Sequence, residues 1–319
     1  MAGTIIMTGA NSSLAIPAVE HLVTEYPDHT LVLTVRSLSD KDINTYRLRQ
    51  TLSKFPRAKA SIRQLDLADL TRVGEFAHAI TADISANRIP RLAAIVCTAY
   101  HWKLNGEAQW SVDGFEKSFQ VSHLAHVALV LQLLGNFQPE GGRIVLFSSD
   151  AHWPGKNGLE KYPPGVPENL DLLVKPDTFH EPASEHFGRG FQSLETDPTL
   201  NKITAVAINP GNLSDSRALR TNTPNFLYYI SMFIIRPFRF LLRLMDPTMR
   251  TSAEAGADVI DLATNKAYPG ERGYFTMLKK DSSSPNSQDV EKQRKIWMKS
   301  ADWAGITEKD TALKTLAPA

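Results

Sequence analysis

A short run near the N-terminus has the residue types of a phosphate-binding turn. Thr8-Gly9-Ala10-Asn11-Ser12-Ser13-Leu14-Ala15 follows a short apolar run and opens a helical pattern. A glycine-containing turn in this position lets the backbone approach a cofactor pyrophosphate, which the N-terminus of the helix then attracts. This stretch is therefore a candidate cofactor site.

A second group of residues could perform acid/base chemistry. Tyr100, His101, Ser149 and His152 each follow one of two apolar runs that are predicted to be central strands. In doubly wound folds, ligands bind at the carboxyl ends of such strands. Two interpretations stay open: these residues take part in proton transfer, or Tyr100 and His101 only line the cofactor cleft.

Two sharper motif interpretations are disfavoured. Ser149, Asp150 and His152 are the residue types of a hydrolase triad, but residues this close in sequence rarely converge as nucleophile, base and orienting group. His123 and His126 have metal-ligand spacing, yet no nearby carboxylate or thiolate completes a site. The histidines are predicted to be core or capping residues, and no metal site is predicted.

Apolar runs alternate with helical patterns along most of the chain. Short, continuously apolar strands are what a parallel sheet covered on both faces requires. The alternation predicts an α/β fold with a doubly wound, Rossmann-like parallel sheet in a single domain, residues 1–319. The predicted strands are Thr4–Met7, Thr30–Val35, Ile62–Leu65, Ala94–Cys97, Arg143–Phe147 and Ile203–Ile208, and the predicted helices are Ala15–Tyr26, Leu70–Asn87, Gly114–Gly135 and Ser252–Thr264.

The interval between the fifth and sixth predicted strands departs from this pattern. A right-handed crossover there should contain a helix that covers the sheet. Proline instead recurs through the interval, and the proline-free stretch Ala183–Asp197 contains Gly188 and Gly190. The helix between strands five and six is therefore predicted to be shortened or absent.

Composition narrows the classes of partner. Lys plus Arg number 35 and Asp plus Glu 34, so a net charge of +1 gives no electrostatic footprint for nucleic acid. The single cysteine, Cys97, excludes an internal disulfide, and the N-terminus lacks the pattern of a secretory signal. A small-molecule ligand and a cytoplasmic location are expected.

Several of these runs together resemble the short-chain dehydrogenase/reductase (SDR) family, in particular its fungal, retinol-dehydrogenase-like branch. The turn at Gly9 resembles the family pattern Thr-Gly-x-x-x-Gly-x-Gly, and Phe119–His126, Arg143–Ser149 and Ile203–Arg217 follow in the family order. The resemblance implies an NADP(H) site and a small lipophilic alcohol, carbonyl or polyketide-like substrate. It assigns cofactor binding to Thr8, Gly9, Asn11, Ser12, Ser13, Leu14, Arg36, Ser37, Asp66, Leu67, Thr98, Ala99, Pro210, Gly211 and Ser214.

The resemblance gives some of these residues separate tasks. Arg36 and Ser37 correspond to the position that binds the 2′-phosphate of NADP(H), where a guanidinium pairs bidentately with phosphate. Asp66 corresponds to an adenine contact. Pro210-Gly211 corresponds to the turn beside the nicotinamide, and Ser214 to a contact with its amide.

The chain also departs from the family pattern. Ser13 and Ala15 replace glycines, and the added Ser13 side chain is expected to weaken cofactor binding. Thr98 lies in Cys97-Thr98-Ala99-Tyr100, which replaces Asn-Asn-Ala-Gly. Ser122 replaces the asparagine of the proton relay, whereas Ser149 keeps the serine that orients the substrate carbonyl. The candidate catalytic residues are therefore Ser149, Ser122, Tyr100 and His152.

The family's catalytic Tyr-x-x-x-Lys pair is missing. No tyrosine in the chain has lysine four residues later, and the surrounding sequence resembles the family on both sides of a junction at Ser193 and Leu194. The pair supplies general acid/base catalysis worth about 10² to 10⁴-fold. The missing helix also builds much of the family's homodimer interface, so its loss weakens the expectation of a homodimer.

Three functions remain open at this point: an NADP(H)-dependent oxidoreductase, a non-redox cyclase, isomerase or dehydratase, and a catalytically dead isoform or interaction protein. Residues 212–250 contain an aromatic stripe with arginines, interpreted as a lid over a lipophilic pocket, with peripheral membrane contact as the alternative. Residues from about 280 onward are predicted to be a polar extension.

Overall fold

A computed structural model describes residues 2–104, 107–156, 160, 164–176, 194, 197–218, 222–314 and 316. Its main sheet has eight strands in the order β10-β9-β6-β5-β4-β1-β2-β3, all parallel except for β10, which pairs antiparallel with β9. The strands are β1 Thr4–Met7, β2 Thr30–Val35, β3 Lys59–Gln64, β4 Leu92–Cys97, β5 Gly142–Phe147, β6 Ile203–Asn209, β9 Gly273–Thr276 and β10 Lys279–Asp281, and a separate pair is formed by β7 Asn212–Leu213 and β8 Met249–Arg250.

Helices cover both faces of this sheet. Those with bounds in the described residues are α1 Ala15–Glu25, α2 Ile43–Ser53, α3 Leu70–Ser85, α4 Lys117–Asn136, α5 Asp171–Val174, α6 Asn225–Ile235, α7 Arg239–Met245, α8 Ser252–Ala263, α9 Pro285–Gln288 and α10 Val290–Trp303. Helices α3, α4 and α10 share one buried apolar cluster with the sheet, and α1 and α8 share the other. The prediction of a doubly wound α/β fold is confirmed.

The buried strands show why sequence pattern predicts the sheet. Every residue of β1 is buried, as is nearly every residue of β4 and β5, because helices lie on both faces. The predicted bounds differ from the observed ones by at most a few residues. Helix α2 was not predicted, because its apolar positions are few; it begins instead at an N-cap, where the Asp42 side chain accepts from the N–H groups of Asn44 and Thr45.

Between β5 and β6, the described residues contain one short turn at Asp150–His152 and the four-residue helix α5, but no long helix. This agrees with the predicted shortening as far as those residues extend. Residues 157–159, 161–163, 177–193 and 195–196 lie outside the description. The predicted junction therefore falls partly outside it: Ser193 is not described, whereas Leu194 is buried in the core.

Helix α10 lies where a crossover helix between β5 and β6 would lie. The connections β4 to β5 and β5 to β6 step across the sheet in one direction, so a right-handed β5–β6 crossover belongs beside α4 on the same face. Trp297 and Ala301 of α10 are buried in the cluster that contains Leu146 of β5 and Ala207 of β6. The prediction of a merely polar extension after residue 280 missed this apolar stripe.

Within the described residues, one helix, α4, has the length and hydropathy of a membrane span. It is mostly buried inside the fold, packed against α3 and against the sheet, as the core helix of a globular domain is. Helix α6 is apolar but shorter than a span.

Candidate functional site

The turn between β1 and α1 packs closely against the end of β4. Gly9 has φ +58°, and a Cβ atom at this position would lie 2.9 Å from the Cα of Ala99. Only glycine satisfies both the dihedral and the contact. The Thr8 hydroxyl accepts from the Ala99 N–H at 3.1 Å, which fixes the two chain segments side by side.

Helix α1 begins at this turn in a way that suits an anion. The Ser12 hydroxyl accepts from the Ala15 N–H at 3.1 Å, and no side chain caps the helix at Leu14. The first turn contains no acidic residue that would repel a phosphate. The N-terminus of α1 therefore keeps the character of a phosphate-binding site.

A buried histidine connects this turn to helix α4. His126 Nε2 lies 2.9 Å from the Thr8 hydroxyl, and its Nδ1 lies 3.2 Å from the carbonyl oxygen of Ser122. Because a carbonyl only accepts, Nδ1 carries the proton and Nε2 accepts from Thr8. Burial lowers the pKa of His126 to about 4, so the ring is neutral. The prediction of a core histidine is confirmed here.

His123 is the second core histidine. Its Nε2 lies 2.7 Å from the hydroxyl of Ser300 on α10, and burial together with His126 lowers the pKa of His123 to about 3. The described residues contain no group of three His, Cys, Asp or Glu side chains that could hold a metal ion.

Side chains expected at the adenosine end lie beside the glycine turn. Arg36 is exposed directly after β2, and Ser37 offers its carbonyl to the Thr45 hydroxyl, which in turn accepts from Asn11 Nδ2. Asp66 accepts from the Ala68 N–H at 2.9 Å and so shapes the loop after β3. Leu67 is buried beneath it.

The end of β4 holds an orphaned polar atom. Thr98 is buried and its hydroxyl finds no hydrogen-bond partner among the described residues. A buried hydroxyl without a partner is costly, so it indicates a position where a ligand or water completes the bonding. Tyr100, two residues further on, is about half exposed.

Ser122 holds the loop after β4 in place. Its hydroxyl accepts from the His101 N–H at 3.2 Å and lies 3.3 Å from the His101 carbonyl oxygen. It lies on a π-helical turn, Gln120–Leu124. Burial, followed by the positive charges of Lys117 and Arg36, lowers the pKa of His101, so its ring is neutral near pH 7.

The end of β5 does not form a hydrolase triad. The Ser149 hydroxyl accepts from the Ala151 N–H, Asp150 accepts from Asn209 Nδ2 at 2.7 Å, and His152 Nδ1 donates to the Ser149 carbonyl at 2.5 Å. The side chains of Ser149, Asp150 and His152 therefore bond elsewhere and not to one another, as the sequence argument predicted.

His152 instead faces a residue that sequence reasoning missed. The rings of His152 and Tyr274, a residue of β9, lie 5.1 Å apart. Both residues are buried, and neither His152 Nε2 nor the Tyr274 hydroxyl has a partner within the described part of the chain. Burial raises the pKa of Tyr274, so the phenol is protonated. No motif or spacing in the sequence predicts that His152 and Tyr274 lie side by side.

The turn after β6 has the geometry expected of Pro210-Gly211. Gly211 has φ +80°, its N–H donates to the Asn209 side chain at 3.0 Å, and a Cβ atom would lie 2.5 Å from the Thr248 carbonyl oxygen. Ser214 is buried, and its hydroxyl donates to the Arg250 carbonyl at 3.1 Å. An amide contact from Ser214 stays a prediction.

Arg217 is a second site residue that sequence reasoning did not find. Its backbone N–H and its Nε donate to the Ser13 hydroxyl at 3.1 and 3.0 Å, and its terminal nitrogen donates to the Asn11 carbonyl at 2.8 Å. A guanidinium thus lies on the phosphate-binding turn. The only signal in the sequence is that Arg217 follows the predicted turn at Gly211 by six residues.

Taken together, the turn, the orphaned hydroxyl of Thr98 and two cationic side chains, Arg36 and Arg217, fit a phosphorylated dinucleotide. The helix N-terminus and the guanidinium groups supply donors for phosphate, and Gly9 leaves room for close backbone approach.

Comparison with known proteins finds sequence matches that cover the C-terminal part of the chain. The AcuH dehydrogenase domain family matches residues 217–313. Dehydrogenase acuH of Aspergillus aculeatus is 48% identical over 92 residues, which are 29% of this chain and 94% of that protein.

Two further proteins match most of the chain. Short-chain dehydrogenase iccH of Talaromyces variabilis is 26% identical, with 98% of each chain covered, and the alignment spans 363 positions. That length exceeds the 319 residues of this chain, so the alignment includes residues of iccH with no counterpart here. A blue fluorescent protein from a metagenomic library, solved with NADPH, shares the fold at a TM-score of 0.56 and 19% identity, covering 86% of this chain and 96% of that one.

Proposed function

Because this chain belongs to the short-chain dehydrogenase/reductase family, we propose that it binds NADP(H) across the carboxyl ends of β1, β2 and β4 and acts on a small lipophilic alcohol or carbonyl. The observation that carries the proposal is the packing of Gly9 against Ala99 with the guanidinium of Arg217 on the same turn. The likeness to a fold solved with NADPH supports it.

Each part of the cofactor has residues that suit it. The N-terminus of α1 and Arg217 would hold the pyrophosphate, and Arg36 with Ser37 the 2′-phosphate. The residues that directly follow β2, Arg36 and Ser37, include no carboxylate. A carboxylate there would favour a free ribose 2′-hydroxyl, whereas a guanidinium favours a 2′-phosphate. When bound, NADPH supplies hydride to a carbonyl.

The proton that must accompany hydride transfer lacks its usual donor. The sequence contains no Tyr-x-x-x-Lys, and Ser149, the residue that would orient a carbonyl, caps the turn after β5. We infer that the active-site helix has been lost between Ser193 and Leu194. The alignment with iccH contains residues that this chain leaves unmatched, which is consistent in length with the loss of a segment.

The first experiment is a fluorescence titration of the purified chain with NADPH and NADH, followed by loss of NADPH absorbance with a panel of lipophilic carbonyls. We expect tighter binding of NADPH and slow or absent turnover, about 10² to 10⁴-fold below a complete site. Absence of NADPH binding would overturn the proposal. Rapid carbonyl reduction would contradict the inference that the catalytic site is incomplete.

A restored chain separates lost chemistry from lost cofactor binding. A helix that carries Tyr-x-x-x-Lys, inserted between Ser193 and Leu194, should raise carbonyl turnover without a large change in NADPH affinity. Sequencing the gene across this junction tests whether a transcript has skipped the segment. An uninterrupted coding sequence there excludes the skipped-isoform explanation.

A second candidate function rests on His152 and Tyr274. Two buried, adjacent groups, one with a lone pair and one with a hydroxyl proton, are the types needed for non-redox acid/base chemistry such as isomerisation or dehydration. This candidate predicts a product of unchanged oxidation state. His152→Asn and Tyr274→Phe should each abolish that product while leaving NADPH binding intact.

A further inference from the structure

Helices α6 and α7 carry a continuous exposed apolar surface, which we call the aromatic face. More than half of the large apolar side chains exposed in the described part of the chain lie between residues 226 and 245. On α6, the rings of Tyr229 and Phe233 stack 6.3 Å apart on the outer side. The face consists of Phe226, Tyr229, Phe233, Phe240, Leu241, Leu244 and Met245.

No described part of the chain covers this surface. Helix α7 has no buried residue at all, although Leu and Phe dominate its sequence. Phe240 is 79% exposed and Leu244 is 75% exposed, and their i, i+4 spacing places them on one side of the helix. An apolar helix normally buries such a side, and a patch of this size marks an interaction site.

The charged residues between positions 217 and 245 are all of one sign. Residues 217–245 contain five arginines and no Asp or Glu, in a chain whose net charge is only +1. Arg236, Arg239 and Arg243 are all exposed among the apolar residues. Arg243 has a nearby carboxylate, Glu254 at 3.3 Å, but that pair is solvent-exposed and contributes little.

We propose that the aromatic face docks this chain onto the surface of an anionic lipid bilayer. The aromatic and Leu side chains would enter the boundary between head groups and acyl chains, while the three guanidinium groups stay at the level of the lipid phosphates. Each arginine near an anionic surface contributes about 1 kcal/mol, which converts to about fivefold in affinity.

Charge also disfavours the other simple occupant, a second copy of the chain. A twofold interface would bring the arginines of one copy against those of the other, because both partners present the same patch. Like charges facing each other across an interface are costly. An anionic bilayer instead neutralises them. The docking does not depend on the NADP(H) site.

Vesicle flotation tests the proposal with the full chain. Vesicles of phosphatidylcholine alone are compared with vesicles of about one part phosphatidylserine to three parts phosphatidylcholine. We expect flotation with the mixed vesicles, weakened by added salt. Arg239→Gln with Arg243→Gln should reduce affinity for the mixed vesicles by about tenfold or more, and Phe240→Ser with Leu244→Ser should reduce it as well.

Val112→Ser is the matched control, because Val112 is 78% exposed but lies far along the chain from the aromatic face. It should leave flotation unchanged, and thermal melting should show every variant folded. Absence of flotation for the unaltered chain overturns the proposal. So does a dimer in sedimentation that the Phe240→Ser, Leu244→Ser variant dissociates, which would assign the face to a second copy. NADPH titration of the same sample reports the cofactor site separately.

Discussion

The hydroxyl of Ser13 accepts two hydrogen bonds from Arg217, one from the backbone N–H and one from Nε. These residues are 204 positions apart in the chain. The added side chain at a position where the family pattern has glycine thus has a partner of its own. It fixes the segment that leads into α6 against the phosphate-binding turn and directs a positive charge to that turn.

Arg217→Ala should weaken NADPH binding by about 10- to 100-fold, because a charge-assisted hydrogen bond to phosphate contributes roughly 1.5 to 3 kcal/mol. Fluorescence titration measures the change. Arg57→Ala, an exposed arginine after α2, is the control and should bind as the unaltered chain does.

Ser13→Gly separates two interpretations of the serine. If its hydroxyl positions Arg217, the variant should bind NADPH several-fold more weakly, by about the net value of one or two hydrogen bonds. If the serine mainly obstructs the phosphate, as the comparison with the family pattern suggests, the variant should bind more tightly. Tighter binding would therefore contradict the positioning role.

Arg36→Ala should reduce NADPH affinity by about 10- to 100-fold and leave NADH affinity nearly unchanged, since only NADPH carries the 2′-phosphate. The ratio of the two dissociation constants measures this preference. Parallel weakening of both cofactors would show that Arg36 acts on the fold of the loop and not on the phosphate.

Trp297→Ala should lower the free energy of unfolding by about 3 to 5 kcal/mol, the usual cost of emptying a buried aromatic site. Trp297 lies in the core beside α4, and its Nε1 donates to the Leu316 carbonyl at 3.1 Å. Met298→Ala is the matched control, because Met298 is the next residue of the same helix and its side chain is exposed. Denaturant titration should show almost no change for the control. Equal effects would mean that α10 does not complete the core.

Sequence pattern predicts the central part of this fold because the physical signals there are local. The apolar strands Thr4–Met7 and Leu92–Cys97 must be covered by helices on both faces of the sheet, and this is visible from their sequences alone. The turn at Gly9 requires a positive φ, which favours glycine. The role of α10 was also within reach: Ile296, Trp297, Ser300 and Ala301 form an i, i+1, i+4, i+5 stripe that the polar neighbours obscured.

Other parts of the site depend on contacts between distant segments. Nothing near Arg217 in sequence indicates that it reaches Ser13, and nothing near Tyr274 indicates that its ring meets His152. The strand order brings β9 beside β6, and the hydrogen bonds of Arg217 hold the segment after β7 against the turn that precedes α1. Composition and periodicity carry no information about those placements.

Acid should destabilise this chain well above the range in which its carboxylates titrate. Burial lowers the pKa of His123 to about 3 and that of His126 to about 4, against about 6.5 in the unfolded chain. At pH values between the folded-state and unfolded-state pKa values, the unfolded state therefore binds protons that the folded state does not bind. The stability is fully present above about pH 6.5 and is lost as the pH falls toward 4. At pH 5 the loss should be about 2 kcal/mol for each histidine.

Denaturant titrations at neutral pH and at about pH 5 measure this slope. His123→Gln removes one of the two titrating groups but keeps a side chain that can bond to Ser300, so its stability should fall by about 2 kcal/mol less than that of the unaltered chain over the same interval. An unchanged slope in that variant would show that His123 is protonated in the folded state.

The Thr8–His126–Ser122 connection predicts a second consequence, since protonating His126 converts Nε2 from an acceptor into a donor. The Thr8 hydroxyl would then have to reorient beside Gly9, so NADPH affinity of the folded chain should weaken as the pH approaches about 4, where His126 takes up its proton.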